Sequence, residues 1–538
     1  METGTTISDE ALRRRTFAII SHPDAGKTSL TEKFLLYAGA IQDAGSVRAR
    51  AGQRSATSDW MEMERQRGIS ISSTVLQFPY GDHVFNLLDT SGHRDFSEDT
   101  YRVLAAVDAV IMVLDTAKGI EAQTLKLFNV CRSRNLPVLT FFNKFDRPGR
   151  DPLELLDEVE QQIGLRATPA TWPVGQPGDF RGTIDRRTGL FTKYTRTARG
   201  AAEAPEEIID AERAAAEEGD AWKVALDSCS LLDAIEANVD LPSFLAGKST
   251  PVFVGSALTN FGVRALLDAV AELAPPPIPR FDLAENERAL ESPFSGFVFK
   301  IQANMNPKHR DRVSFIRVVS GCFRRDMLAT HIRTGKPVRL GNSQRLFAQD
   351  RETVDEAWAG DVVGIVGNYD FLIGDTVSED ASLQFSEIPR FPPECFAYIR
   401  NSSTAKFKRF REGLDQLLKE GVAQQFELPD AVARVPLLGA VGPLQFEVMQ
   451  YRLETEYSAD CRVETAPWQF ARWILKEGSP FLERPEILLP SGCTLARDSF
   501  GFWVVLLPSS WTIGYLEEKN ADLTFTAAPP HAPPITES

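Results

Sequence analysis

Five short apolar runs, each ending in a cluster of small and polar residues, constrain the fold more than any other feature of this chain. RTFAIISH (15–22), HVFNLLD (83–89), AVIMVLD (109–115), PVLTFFNK (137–144) and PVFVGSA (251–257) are apolar and β-rich almost throughout. Strands of that kind are buried on both faces, as in a parallel sheet with helices on either side. Helix-like stretches such as TSLTEKFLLYAG and EAQTLKLFNVCRSR lie between them, and STVLQFPY joins HVFNLLD through a turn at Gly81 and Asp82. The expected class is multidomain α/β, opening with a mainly parallel sheet covered on both faces. Ligands of such sheets sit beyond the carboxyl ends of the strands, where the polar clusters fall.

The first cluster is SHPDAGKTSL (21–30). It departs from the phosphate-loop template G-x-x-x-x-G-K-[ST] only in having Ser21 for the first glycine, a small-for-small exchange. Such a loop turns successive backbone N–H groups toward phosphates at a helix N-terminus. Across Ser21, His22, Pro23, Asp24, Ala25, Gly26, Lys27 and Thr28, the glycine permits close approach. The lysine meets the β- and γ-phosphates, and the threonine hydroxyl faces Mg²⁺. In DTSGH (89–93), Asp89 is placed to hold Mg²⁺ through water and Gly92 to meet the γ-phosphate, with Thr90 and Ser91 between them. D-x-x-G alone is uninformative, since a chain this long holds about two by chance.

NKFD (143–146) names the base. A carboxylate at Asp146 accepts from both the ring N–H and the exocyclic amine of guanine, after Asn143 and Lys144, and adenine offers neither arrangement. GSAL (255–258) brings backbone N–H groups of Ser256, Ala257 and Leu258 toward the guanine oxygen. Each motif has an ordinary structural reading, as a turn or a helix cap. All four in order, each closing an expected strand, define a P-loop GTPase domain binding GTP and GDP. QRGISIS (66–72) lies where a switch segment belongs, with Ser70 as a Mg²⁺ ligand and Ile69 as a cover. His93 is the candidate catalytic residue, orienting the attacking water.

At 538 residues the chain exceeds one core, and three domains are expected. The GTP-binding domain is placed at 12–280, with an insertion at about 165–250, and LAPPPIPR (273–280) is a stiff boundary. Strand-like runs with glycine turns predict a small β-barrel at 291–385. A mixed pattern predicts an α+β domain at 391–480, followed by an extension at 481–526 and a disordered tail at 527–538. The six cysteines form no CxxC pair, which argues against zinc and disulfides and fits a reducing cytoplasm. No run is apolar and long enough for a membrane span. A net charge of −15 argues against a protein that coats free DNA. Basic clusters at 300–325 and at Lys406, Lys408, Arg409 and Arg411 read either as solvated faces or as local docking faces for a nucleic-acid surface.

RGIS, D-x-x-G followed by His93, and NKFD together resemble the translational GTPases. SHPDAGKT with Pro23, LTEKFLLYAGAIQDAGSVRAR, QRGISIS, SEDTYRVL, HRDRVSFIRVVSG and GAVGPLQFEVMQYRLETEY are similar to the class II release factor branch, over about 13–475. The resemblance implies a GTPase activated by the 70S ribosome, with ribosomal RNA acting at His93. It implies class I release factors as partners and a monomer off the ribosome. Asp24 matches a family position linked to a monovalent cation. Ser91 departs from the family's usual proline, and Ser70 resembles what this branch carries. The alternatives are a translocase or ribosome-protection factor, or a GTP-dependent binding switch whose hydrolysis is incidental. About sixty residues after the third domain are too few for the two further domains a translocase needs.

Overall fold

The computed structural model describes residues 6–41, 73–195, 203–303, 312–347, 350–386, 388, 391–431, 435–480, 483–528 and 530. The switch segment with Ile69 and Ser70 lies outside the described residues, as does nearly all of the expected tail.

The first domain is built on a seven-stranded sheet. Its strands are β1 (Arg14–Ser21), β2 (Thr74–Tyr80), β3 (His83–Asp89), β4 (Ala109–Asp115), β5 (Val138–Asn143), β6 (Arg166–Pro169) and β11 (Ser249–Val254), in the order β2-β3-β1-β4-β5-β11-β6. All pairs are parallel except the β2–β3 hairpin. The apolar runs are continuous because each strand feeds two cores. Ala18 and Ile20 of β1 join one cluster with Val110, Met112 and Phe142, while Phe17 and Ile19 join the other with Ile111, Val113 and Phe141. Register then sets the site. Ile19 pairs with Asp89, Asp115 with Asn143 and Phe142 with Val254. The residues after β1, β3, β5 and β11 therefore emerge along one edge.

The insertion holds β7 (Thr171–Gln176), β8 (Asp179–Asp185), β9 (Phe191–Tyr194) and β10 (Glu206–Ile209), which form a four-stranded antiparallel sheet in the order β10-β9-β8-β7. The helix Asp220–Ala234 packs on it through Trp222, whose ring meets Phe191 at 5.6 Å. The insertion was expected from about 165, but β6 pairs with β11 in the main sheet, so the separate sheet begins at Thr171.

The second domain is an eight-stranded antiparallel, barrel-like sheet around Phe294, Val298, Ile316, Phe323 and Val377. It is fastened to the first by buried polar contacts. Arg317 donates to Asp108 Oδ2 (2.6 Å), Arg14 to Asp361 (3.1 Å) and Thr16 to the Gly360 carbonyl (2.7 Å).

This overturns part of the basic-face reading. Arg317 is 1% exposed, and Lys300 and Arg312 are also buried. A cation this deeply buried has given up its water and needs partners inside the protein, so these residues serve as internal contacts and not as a docking face. Arg324 and Arg325 are exposed and pair with Glu356 and Asp355. Lys308 and Arg310 lie outside the described residues.

The third domain is a nine-stranded sheet with the helices Phe407–Lys419, Pro443–Glu456 and Trp511–Lys519. The boundary expected at 480 is corrected here. Phe426 pairs with Asp498 and Trp473 with Val504, so the strands after 490 complete the same sheet and bury Trp473, Phe502 and Val504 in one cluster. Among the described residues no helix is long and apolar enough to cross a membrane.

Candidate functional site

The carboxyl edge of the first sheet opens into a cleft of about 350 Å³ lined by all four loops. Gly26 starts the helix Lys27–Tyr37 at φ +99°, a left-handed conformation that only glycine adopts without strain. A Cβ there would also lie 2.3 Å from Asn143 Nδ2. Asn143 is buried and acts as a brace. Its Nδ2 donates to the Ala25 carbonyl (2.7 Å), and its Oδ1 accepts from the Ala257 N–H (2.9 Å). One side chain thus fixes the phosphate loop to the loop after β11.

Lys27 is 6% exposed and its ammonium is paired with Asp89 Oδ1. Asp89 Oδ2 is buried without a partner among the described residues. Lys144 donates to Asp115 (2.8 Å) and to the Asp24 carbonyl. Burial alone would raise the Asp115 carboxyl pKa, but the Lys144 ammonium and the Ala117 N–H hold it below the usual range. Asp146 Oδ1 is buried and has no partner among the described residues, and Arg147 approaches Oδ2 at 3.8 Å. A buried carboxylate oxygen left unpaired is costly unless a ligand completes it.

Ser21 occupies the first loop position without opening it. It is buried, and its hydroxyl donates to the His22 carbonyl (2.9 Å). His22 Nδ1 faces Glu121 at 3.0 Å. Burial pushes the imidazole pKa down against that carboxylate's pull. Pro23 backs onto Gly92, where an added Cβ would sit 3.7 Å from Pro23 Cα.

Thr90 and Ser91 do not line the cleft: the Thr90 hydroxyl donates to the Ile19 carbonyl (2.7 Å), and the Ser91 hydroxyl accepts from the His93 N–H (3.3 Å). His93 lines the cleft, and its Nδ1 accepts from the Asp95 N–H (3.2 Å). Thr28, Ala257 and the half-exposed Leu258 line it too, whereas Ser256 is fully buried, its Oγ accepting from the Thr259 N–H (3.3 Å).

Ser29 and Arg147 also line the cleft and were not anticipated. Each directly follows an anticipated motif, and that adjacency was the available signal. Among the described residues no cluster of three His, Cys, Asp or Glu could hold a metal. Hydroxyl and phosphate oxygens suffice for a hard cation beside a nucleotide.

This fold and cleft define a GTP-binding protein of the translational GTPase class. Residues 12–276 match the elongation factor Tu GTP binding domain, 293–380 match elongation factor G domain 2, and 385–517 match the class II release factor RF3 C-terminal domain. A peptide chain release factor 3 of Synechococcus elongatus is 48% identical over 529 residues, 98% of this chain and 95% of that protein. One of Gloeobacter violaceus is 50% identical over 97% of this chain and 98% of that protein. The chain belongs to the peptide chain release factor 3 family. A crystal structure of a Thermus thermophilus protein shares the fold, with a TM-score of 0.69 at 22% identity over 93% of this chain and 74% of the other.

Proposed function

We propose that this chain is a GTPase of translation termination that binds the 70S ribosome after peptide release. It uses GTP to dislodge a class I release factor, then hydrolyses the nucleotide and leaves. The observation that carries this reading is near full-length similarity to proteins of that name, joined to a cleft furnished at all four loops. In this reading the chain works in the cytoplasm and is a monomer off the ribosome.

The roles follow from position. Gly26 admits the phosphates to the loop N–H groups, and Lys27 supplies the cation for the β- and γ-oxygens. Asp146 accepts both guanine N–H groups, and the loop after β11, whose Ala257 and Leu258 line the cleft, borders the base. With Nδ1 engaged by the Asp95 N–H, Nε2 of His93 is the nitrogen available to orient water, and ribosomal RNA provides the activating contact. The described residues fit Mg²⁺: Thr28 and, through water, Asp89 are its candidate holders, and Asp89 Oδ2 has no partner among the described residues; Ser70, outside them, is the third candidate. The ion supplies neutralisation of phosphate charge. A monovalent cation near Asp24 rests on the family resemblance alone.

The test is the rate at which a class I release factor leaves a ribosome that has released its peptide, with and without this chain and GTP. A large acceleration is expected. No acceleration, with ribosome-stimulated hydrolysis intact, would refute the termination step. Hydrolysis that stays at the unassisted rate of about 10⁻⁴ to 10⁻² per second with ribosomes present would refute the translational role altogether.

A further inference from the structure

Asp95 lies two residues past His93, in the short 3₁₀ turn Arg94–Phe96, and faces the third domain. Its backbone N–H donates to His93 Nδ1 (3.2 Å) and so holds the ring. Its side-chain Oδ2 accepts the backbone N–H of Leu444 (2.9 Å) in a buried contact. Asp95 therefore caps the helix Pro443–Glu456, whose N-terminus favours a negative charge.

Gly442 precedes that helix at φ −148°, an extended conformation open to any residue, so backbone geometry does not call for glycine. Space does. A Cβ at Gly442 would lie 2.1 Å from Asp95 Cγ.

The helix after the turn is tied to the same domain. Arg102 donates to the Gly421 carbonyl (3.1 Å), and the Tyr101 ring packs on Phe391 at 4.7 Å.

We propose that Asp95 is a positioning residue that couples the third domain to His93. One residue holds the histidine ring through its N–H and the third-domain helix through its carboxylate. Movement of that helix is then transmitted to the ring, and a change at the nucleotide is transmitted back. Such coupling is reciprocal for binding equilibria. The inference rests on the nucleotide site and not on the termination step.

The test uses the full-length chain carrying Asp95→Ala, Asp95→Asn, Gly442→Ala, or Asp95→Ala with Gly442→Ala. Two quantities are read: the ratio of GTP to GDP affinity off the ribosome, by fluorescent nucleotide titration, and kcat against KM for ribosome-stimulated hydrolysis. Gly442→Ala is expected to change the affinity ratio or kcat by about fivefold or more, within the range of measured site couplings. It is expected to have no further effect once Asp95 is alanine. Asp95→Asn keeps an oxygen acceptor and is expected to stay within about twofold of the unaltered chain.

Equal effects of Gly442→Ala in both backgrounds, or an Asp95→Ala chain that is folded and unchanged in both readouts, would overturn the proposal. If Gly442→Ala fails to fold, Asp95→Ala against Asp95→Asn carries the test: the alanine chain must shift a readout that the asparagine chain leaves within about twofold. The affinity ratio tests Asp95 without ribosomes, so failure of the termination reading would leave this result standing.

Discussion

Replacing Asp146 by asparagine keeps the side chain's shape and changes one acceptor into a donor. The carboxylate is 9% exposed, its Oδ1 has no partner among the described residues, and Arg147 Nε lies 3.8 Å from Oδ2. Both oxygens are thus available to the guanine ring N–H and exocyclic amine. Hydrogen bonds to a charged group contribute about 1.5–3 kcal/mol each. The asparagine amide retains one of them and sets its own N–H₂ against the exocyclic amine. The loss is one charged bond plus an unsatisfied buried amine, which costs about 1–3 kcal/mol. The sum is about 2.5 kcal/mol at its low end, or roughly sixtyfold in GTP affinity. Xanthosine triphosphate carries a carbonyl where guanine has the amine, so the new amide donates to it and its affinity is expected to rise. Competition of GTP, inosine triphosphate and xanthosine triphosphate against a labelled nucleotide reads all three terms. A folded Asp146→Asn chain that keeps the original preference for GTP over xanthosine triphosphate would show that this carboxylate does not read the base.

Lys27→Ala removes the buried cation of the phosphate loop, and calorimetric titration is expected to detect no nucleotide binding. Asp108→Ala strands the fully buried Arg317 guanidinium. The expected cost is about 3–5 kcal/mol in denaturant unfolding, and apolar replacement of both partners is expected to recover most of it; a loss below about 1 kcal/mol would remove Arg317 from the domain contact. His22 has a folded pKa below its ordinary 6.5 because of burial. Between the two values the unfolded chain binds more protons, so stability is expected to fall as pH drops below 6.5, less steeply in His22→Asn. Reversing the exposed charges of Lys408, Arg409 and Arg411 is expected to weaken ribosome binding at low salt, with the difference shrinking as salt rises; unchanged affinity at low salt would make that helix face an ordinary solvated one.

What was legible in the sequence was local. Each nucleotide motif closes an apolar run that forms a strand by its own pattern, and parallel pairing then brings the strand ends to one edge. Gly26, Lys27, Asn143 and Asp146 could be found without knowing any distant contact. Arg317 could not. A charge count places it on a basic face, because the sequence does not reveal that Asp108, in the linker to β4, stands opposite it. The strands after 490 read as an extension for a similar reason: their partners, such as Phe426, lie far back in the chain. Gly442 is the sharpest case. Before a proline that opens a helix, a glycine looks like turn chemistry, yet its backbone is extended and the three atoms nearest an added Cβ all belong to the Asp95 carboxylate. A residue whose reason is another domain's side chain carries no local signal. Positions of that kind are where coupling between a nucleotide site and the rest of the molecule has to be sought, since local pattern already accounts for the site itself.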